Sequence, residues 1–109
     1  MIFRKATKND VPQIVKLLAT DELGKLRENY NNPLPNYYYN AFEVINADIN
    51  QELIVVENKE NQNILASFQL TFVPYLSYKS GVRAQIKNVI VKDDVRWQGN
   101  GKQIYMVNY

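Results

Sequence analysis

The hydrophobic period changes once along this chain, near residue 50, and that change limits the folds open to it. Upstream, Val11, Ile14, Val15 and Leu18 recur at i, i+3, i+4 and i+7, the stripe of one helix face. Thr7-Lys8-Asn9-Asp10 ahead of them has the spacing of a capping box, and Pro12 is tolerated only in a first turn. A helix is therefore predicted over about residues 8–20. Downstream, Leu53 to Glu57 is rich in β-branched residues. Ile64 to Phe72 alternates, with Ile64, Ala66, Phe68, Leu70 and Phe72 on one side and Leu65, Ser67, Gln69 and Thr71 on the other. The polar stretch 58–63 between these runs predicts an antiparallel hairpin, which Pro74 ends or bends.

The other segments fill in the order. Ile2 to Arg4 is a candidate short strand. Residues 24–40, with Pro33, Pro35, many Asn and no clean periodicity, are predicted to be a loop. Phe42, Ile45 and Ile49 predict a second short helix near 40–50. Ser80-Gly81 marks a turn, Ala84 to Lys92 a further strand, Asp93 to Gly101 a loop, and Lys102 to Val107 the start of a helix. The order is β-α-α-β-β-β-α, an α/β (α+β) chain. At 109 residues it is read as a single domain spanning 1–109, burying roughly 65% of the surface its unfolded form exposes.

Composition narrows the chemistry. There are 0 Cys and 0 His, so disulfides, thiolate nucleophiles, Ser-His-Asp and Cys-His hydrolysis and the usual zinc and haem sites are excluded. Acid–base work falls to carboxylates, Lys, Tyr, the backbone or water. The 13 basic and 11 acidic residues leave a net charge of +2 with no block of like charge, which argues against a nucleic-acid partner. Leu53-Ile54-Val55-Val56 and Val89-Ile90-Val91 are the longest apolar runs, too short to span a membrane, and residues 1–8 hold no apolar signal segment. The expected location is cytoplasmic. Asp93-Asp94 reads as turn chemistry rather than a metal site, and no metal is expected.

The stretch with chemical content runs from Val89 to Lys102. A strand enters a loop holding Gly99 and Gly101, which then opens a helix, the arrangement in which free backbone N–H groups and a helix dipole hold a phosphate. A Walker loop fails here, because Arg96 and Gln103 stand where Gly and Ser or Thr are needed. A dinucleotide fingerprint fails at Ile104, where a third small residue is required. Arg96-Trp97-Gln98-Gly99-Asn100-Gly101 does fit Q/R-x-x-G-x-G/A, and it follows Val89-Ile90-Val91 at the right offset.

On these residues the chain resembles the GNAT superfamily of acyl-CoA-dependent N-acetyltransferases. Ile2 to Asp10 is similar to that family's first strand and helix cap, and the element order is similar to its amino-terminal two-thirds. The resemblance implies a mixed, mostly antiparallel sheet flanked by helices, with acetyl-CoA as cosubstrate and an amine acceptor as partner. It implies that the amides of Gln98, Gly99, Asn100, Gly101 and Lys102 face the coenzyme A pyrophosphate, with Arg96 and Trp97 in the same loop. Val89 and Val91 would pair through their backbones with the pantetheine arm, and a splayed strand at Ile90 would aim an N–H at the thioester carbonyl.

Two departures stand against the family pattern. Where many members carry a Glu as general base, this chain has Lys87 followed by Asn88, and Lys87 reads as an outward-facing surface residue. Water, Glu57 or Glu28 remain as bases, and no catalytic residue is assigned. The chain also stops at Tyr109, before the family's usual closing strands and helix, so it reads as a truncated member or a fragment. The Ala84–Lys92 strand would then be an open sheet edge, and a homodimer covering it is expected. Tyr37-Tyr38-Tyr39 is expected to pack a loop onto the core, with an acceptor-site wall as the alternative. The function expected is transfer of an acetyl group from acetyl-CoA to a primary amine. The alternatives are a non-catalytic remnant that binds coenzyme A and a module that only mediates protein interaction.

Overall fold

The structure, a computed structural model, describes residues 1–20 and 27–92. Strand β1 (Ile2–Lys5) leads into a capping box at Thr7 and Asp10. The Asp10 carboxylate accepts the Thr7 N–H at 2.7 Å and the Thr7 hydroxyl at 3.0 Å. Lys8–Asp10 form one 3-10 turn, and helix α1 follows as Val11–Thr20. The predicted 8–20 helix is thus present, with a tighter first turn. Val11, Ile14, Val15 and Leu17 are buried, and Leu18 packs against them partly covered.

Helix α2 (Asn36–Ala47) begins four residues earlier than the periodicity suggested. Tyr37 to Tyr39 therefore lie on a helix, not in a loop. Pro35, with φ −56° and ψ 139°, ends the extended approach at the N-cap position, where its missing N–H costs nothing. The inward face is Tyr38, Phe42 and Ile45, spaced i, i+4 and i+7. Ile49, expected on that face, lies beyond the helix end and is 91% exposed.

Strands β2 (Gln51–Glu57), β3 (Ile64–Pro74) and β4 (Val82–Val91) complete a four-stranded sheet in the order β1-β2-β3-β4. Every described pair is antiparallel, so no parallel pairing occurs among the described residues. A single helical turn at Ser77–Ser80 joins β3 to β4. The loop expected from Asp93 and the helix expected from Lys102 lie outside the described residues. No helix among the described residues is long and apolar enough to cross a membrane.

Two register shifts decide which side chains face the helices. Between β2 and β3, Val56 pairs with Ala66 but Glu57 pairs with Ile64, leaving Leu65 extra. Ile64 consequently joins Val55 on the helix-facing side, whereas Ala66 and Phe68 join Val56 on the other. The simple alternation expected from Ile64 to Phe72 is broken at its first step, because one extra residue exchanges the two faces. Between β3 and β4, Ser67 pairs with Ile90 while Gln69 pairs with Lys87, so Asn88 and Val89 together oppose Phe68. Ile86, Val89 and Val91 pack with the cluster around Phe68, and Ile90 turns to the helices. Val55 and Val56 are both 0% exposed, and each contributes on the order of 1.5–3 kcal/mol through burial.

Candidate functional site

Helices α1 and α2 lie over one face of the sheet and leave a groove of about 370 Å³ between them and the strands. Its floor is Leu53, Ser67, Gln69, Asn88 and Ile90, and its walls include Ile14, Leu18, Ala41, Phe42 and Ile45. Arg27, Glu28 and Tyr38 complete the lining. The groove is mostly apolar with a few convergent polar groups, the usual make-up of a small-molecule site.

The β4 bulge positions the floor. Asn88 has φ 55°, in the left-handed region that Asn tolerates better than other residues with a Cβ. That conformation lets two residues of β4 oppose one of β3 and rotates Ile90 into the groove. Sequence alternation alone would have put Ile86, Asn88 and Ile90 on one face. The bulge carries no sequence signal beyond the Asn itself.

The polar groups differ in how far they are committed. Ser67 is 2% exposed, and its hydroxyl donates to the Ile54 carbonyl at 3.1 Å. Gln69 donates its side-chain amide to Gln51 at 2.8 Å. The Tyr38 hydroxyl donates to Glu28 Oε1 at 2.9 Å and accepts the Asn29 N–H at 2.8 Å. Burial, followed by the Glu28 carboxylate it faces, pushes the Tyr38 phenol above its ordinary value, against the opposing Asn29 N–H. Glu28 Oε2 is 3.3 Å from Arg27 Nε, and the Arg27 side chain is 60% exposed. Tyr37 stands outward at 55% exposure, while Tyr39 packs against the core beneath Lys8.

The residues expected from the sequence are distributed as follows. Val89 and Ile90 are half-buried on opposite faces of β4, and Val91 is buried. Lys87 is exposed, as an outward strand lysine should be. Glu57 is held by Arg4 at 3.1 Å, away from the groove lining, so of the two carboxylates named as bases only Glu28 reaches the groove. Arg96, Trp97, Gln98, Gly99, Asn100, Gly101 and Lys102 lie outside the described residues, as does Asp93-Asp94. Sequence reasoning missed Arg27, Ser67, Gln69 and Asn88, which come together only through strand register and loop path. Among the described residues no group of three or more His, Cys, Asp or Glu side chains could hold a metal.

A four-stranded antiparallel sheet with two helices across one face is the frame of the N-acetyltransferase fold. A solved protein from Bacillus halodurans C-125, described as a transcriptional regulator, is 42% identical and superposes with a TM-score of 0.86 over 98% of this chain and 70% of that one. A GNAT family acetyltransferase from Staphylococcus aureus is 15% identical, with a TM-score of 0.71 over 96% of this chain and 72% of the other. A predicted acetyltransferase from Clostridium acetobutylicum, solved with acetyl-CoA, is 22% identical, with a TM-score of 0.63 over 97% and 68%. No family model and no curated protein sequence matches the chain. The chain shares the fold of these GNAT acetyltransferases.

Proposed function

We propose that this chain transfers the acetyl group of acetyl-CoA to a primary amine bound in the groove between α1, α2 and the sheet. The observation that carries this reading is the β4 bulge at Asn88, which brings Ile90 to the groove floor beside the outer side of β4. In the described sheet β4 pairs on one side only, with β3. An extended pantetheine arm could add to Val89, Ile90 and Val91 as a further strand does. The backbone amides of Gln98 to Lys102, with Arg96 and Trp97 beside them, would take the pyrophosphate.

The chemistry needs little from side chains. The amine nitrogen bonds to the acyl carbon, the C–S bond breaks, and one amine proton ends on the coenzyme A thiol by way of solvent. Negative charge developing on the thioester oxygen is met by a fixed backbone N–H near the bulge, and holding both reactants in one groove supplies the entropic part. A cytoplasmic location, where acetyl-CoA is available, fits this reading. On the same reading a second copy of the chain covers the outer side of β4 ahead of the bulge, from Val82 to Lys87, and leaves Val89 to Val91 to the pantetheine arm. Sedimentation equilibrium should then give a dimer mass, and a strict monomer at high concentration would remove that part.

Changing Gly99 and Gly101 together to Val tests the whole reading. A Cβ at either position blocks close approach of the backbone to a phosphate. Calorimetric affinity for acetyl-CoA should fall by about a hundredfold or more, equivalent to roughly 2.7 kcal/mol. Undiminished affinity refutes the phosphate-loop assignment. The Bacillus halodurans relative's description as a transcriptional regulator supplies a second reading, a coenzyme-binding domain without turnover. Binding of acetyl-CoA with no acetylation across an amine panel would favour that second reading.

A further inference from the structure

The groove holds one carboxylate whose setting has a chemical consequence. Glu28 has a side chain only 19% exposed and lines a groove whose other walls include Leu18, Ala41, Phe42, Ile45 and Ile90. A carboxylate beside so much apolar surface is costly unless it is partnered. Its partners among the described residues are modest ones. Tyr38 offers one neutral hydroxyl at 2.9 Å. Arg27 offers one contact at 3.3 Å from a side chain that is 60% exposed, and an ion pair that open to water is worth little. An ionised carboxylate has about four acceptor sites, so Glu28 keeps capacity for a further donor. Tyr38 is itself fixed by the Asn29 N–H, which holds the pair in place before any ligand arrives. Ser67 and Gln69 already donate elsewhere, to the Ile54 carbonyl and to Gln51.

We infer that Glu28 receives the ammonium group of the acceptor, so that this groove selects a cationic amine carried on an apolar body. The inference rests on the acetyl-transfer reading of the same site. An ammonium brings three donors and one positive charge to a carboxylate with no well-buried cation among the described residues, and Phe42, Ile45 and Leu18 then cover the carbon skeleton; the bound ammonium gives one proton to solvent before its nitrogen attacks the acyl carbon. Tyr38 acts as a positioning residue for Glu28.

The test is calorimetric titration of the full chain with phenethylamine and with 2-phenylethanol, its neutral counterpart. The amine should bind at least about tenfold more tightly, because a charge-assisted hydrogen bond exceeds a neutral one by about that margin. Glu28→Gln should abolish the difference while leaving acetyl-CoA affinity unchanged. Tyr38→Phe should reduce the preference severalfold, with Glu28→Asp intermediate. Equal binding of amine and alcohol to the unmodified chain, or no amine binding at millimolar concentration, overturns the inference without any variant needing to fold. Retention of the preference in Glu28→Gln overturns it as well. Amine selectivity that depends on Glu28 in a chain that fails to bind acetyl-CoA would leave this inference standing and remove the acetyl-transfer reading instead.

Discussion

Replacing Asp10 with alanine is expected to lower the melting temperature by about 15 °C, the largest loss expected from a single polar side chain among the described residues. Asp10 is 6% exposed. It accepts the Thr7 N–H and hydroxyl at 2.7 and 3.0 Å and two Arg4 nitrogens at 2.7 and 2.9 Å. One carboxylate thus caps the first helix and anchors β1 to it. Arg4 also donates to Glu57 at 3.1 and 3.2 Å, so the same guanidinium reaches across to β2. Arg4 is one-third exposed, which discounts the pair energy for screening. Loss of the cap and of the paired charge together costs about 2–3 kcal/mol. Asp10→Asn keeps an acceptor for Thr7 but not the charge, and should lose roughly half as much.

The same group gives a pH signature. Burial alone would raise the Asp10 pKa, but the hydrogen bonds from Arg4 and Thr7 outweigh it and hold the carboxyl below its ordinary 3.8. A group whose folded pKa is depressed contributes stability that is complete above the unfolded value and is lost as pH falls through the folded one. Unfolding followed by urea from pH 6 down to pH 2 should therefore show an acid limb beginning near the ordinary carboxylate range. That limb should be shallower in Asp10→Ala. An identical limb in both proteins would assign acid sensitivity to other carboxylates.

The cap was legible because it is local. Thr7 and Asp10 stand three residues apart, and the stripe of Val11, Ile14 and Val15 follows at once, so the motif and its burial are written in one short segment. The strands were legible from β-branched runs, and their antiparallel hairpin from the polar turn between them. What failed was face assignment. Ile64 and Ala66 look equivalent in an alternating string, yet one extra residue at Leu65 places them in different clusters. The start of helix α2 is hidden in the sequence because Pro33, Pro35 and the Asn-rich approach read as loop through residue 40, whereas Tyr38 gains its place by packing on the core around Phe42 rather than by propensity. The pairing of Glu28 with Tyr38 in the groove was invisible for a related reason. Glu28 sits in the segment before α2, and only the fold brings it to Tyr38, ten residues on.

Deletion of Asn88 should abolish acetyl-CoA binding with little loss of stability. With Asn88 present, Lys87 pairs with Gln69 and Ile90 with Ser67, so the two halves of β4 are out of simple alternation by one residue. Removing it leaves Val89 alone opposite Phe68 and keeps every other pair, so the bulge closes into a regular ladder. Ile90 still opposes Ser67, Val91 still opposes Ala66 and Ile86 still opposes Leu70, so the two faces of the sheet are unchanged. What is lost is the splayed backbone of the bulge, and with it the N–H that the acetyl-transfer reading aims at the thioester oxygen. Asn88→Gly separates the bulge from the side chain. Glycine adopts the φ of 55° without a Cβ penalty, so this variant should keep both melting temperature and acetyl-CoA affinity close to those of the parent. Calorimetry and thermal melting on the two variants decide the matter. If the deletion binds acetyl-CoA as well as the parent, the bulge does not shape the coenzyme site. If Asn88→Gly loses binding while staying folded, the Asn side chain itself contacts the ligand, and the backbone argument gives way to a side-chain one.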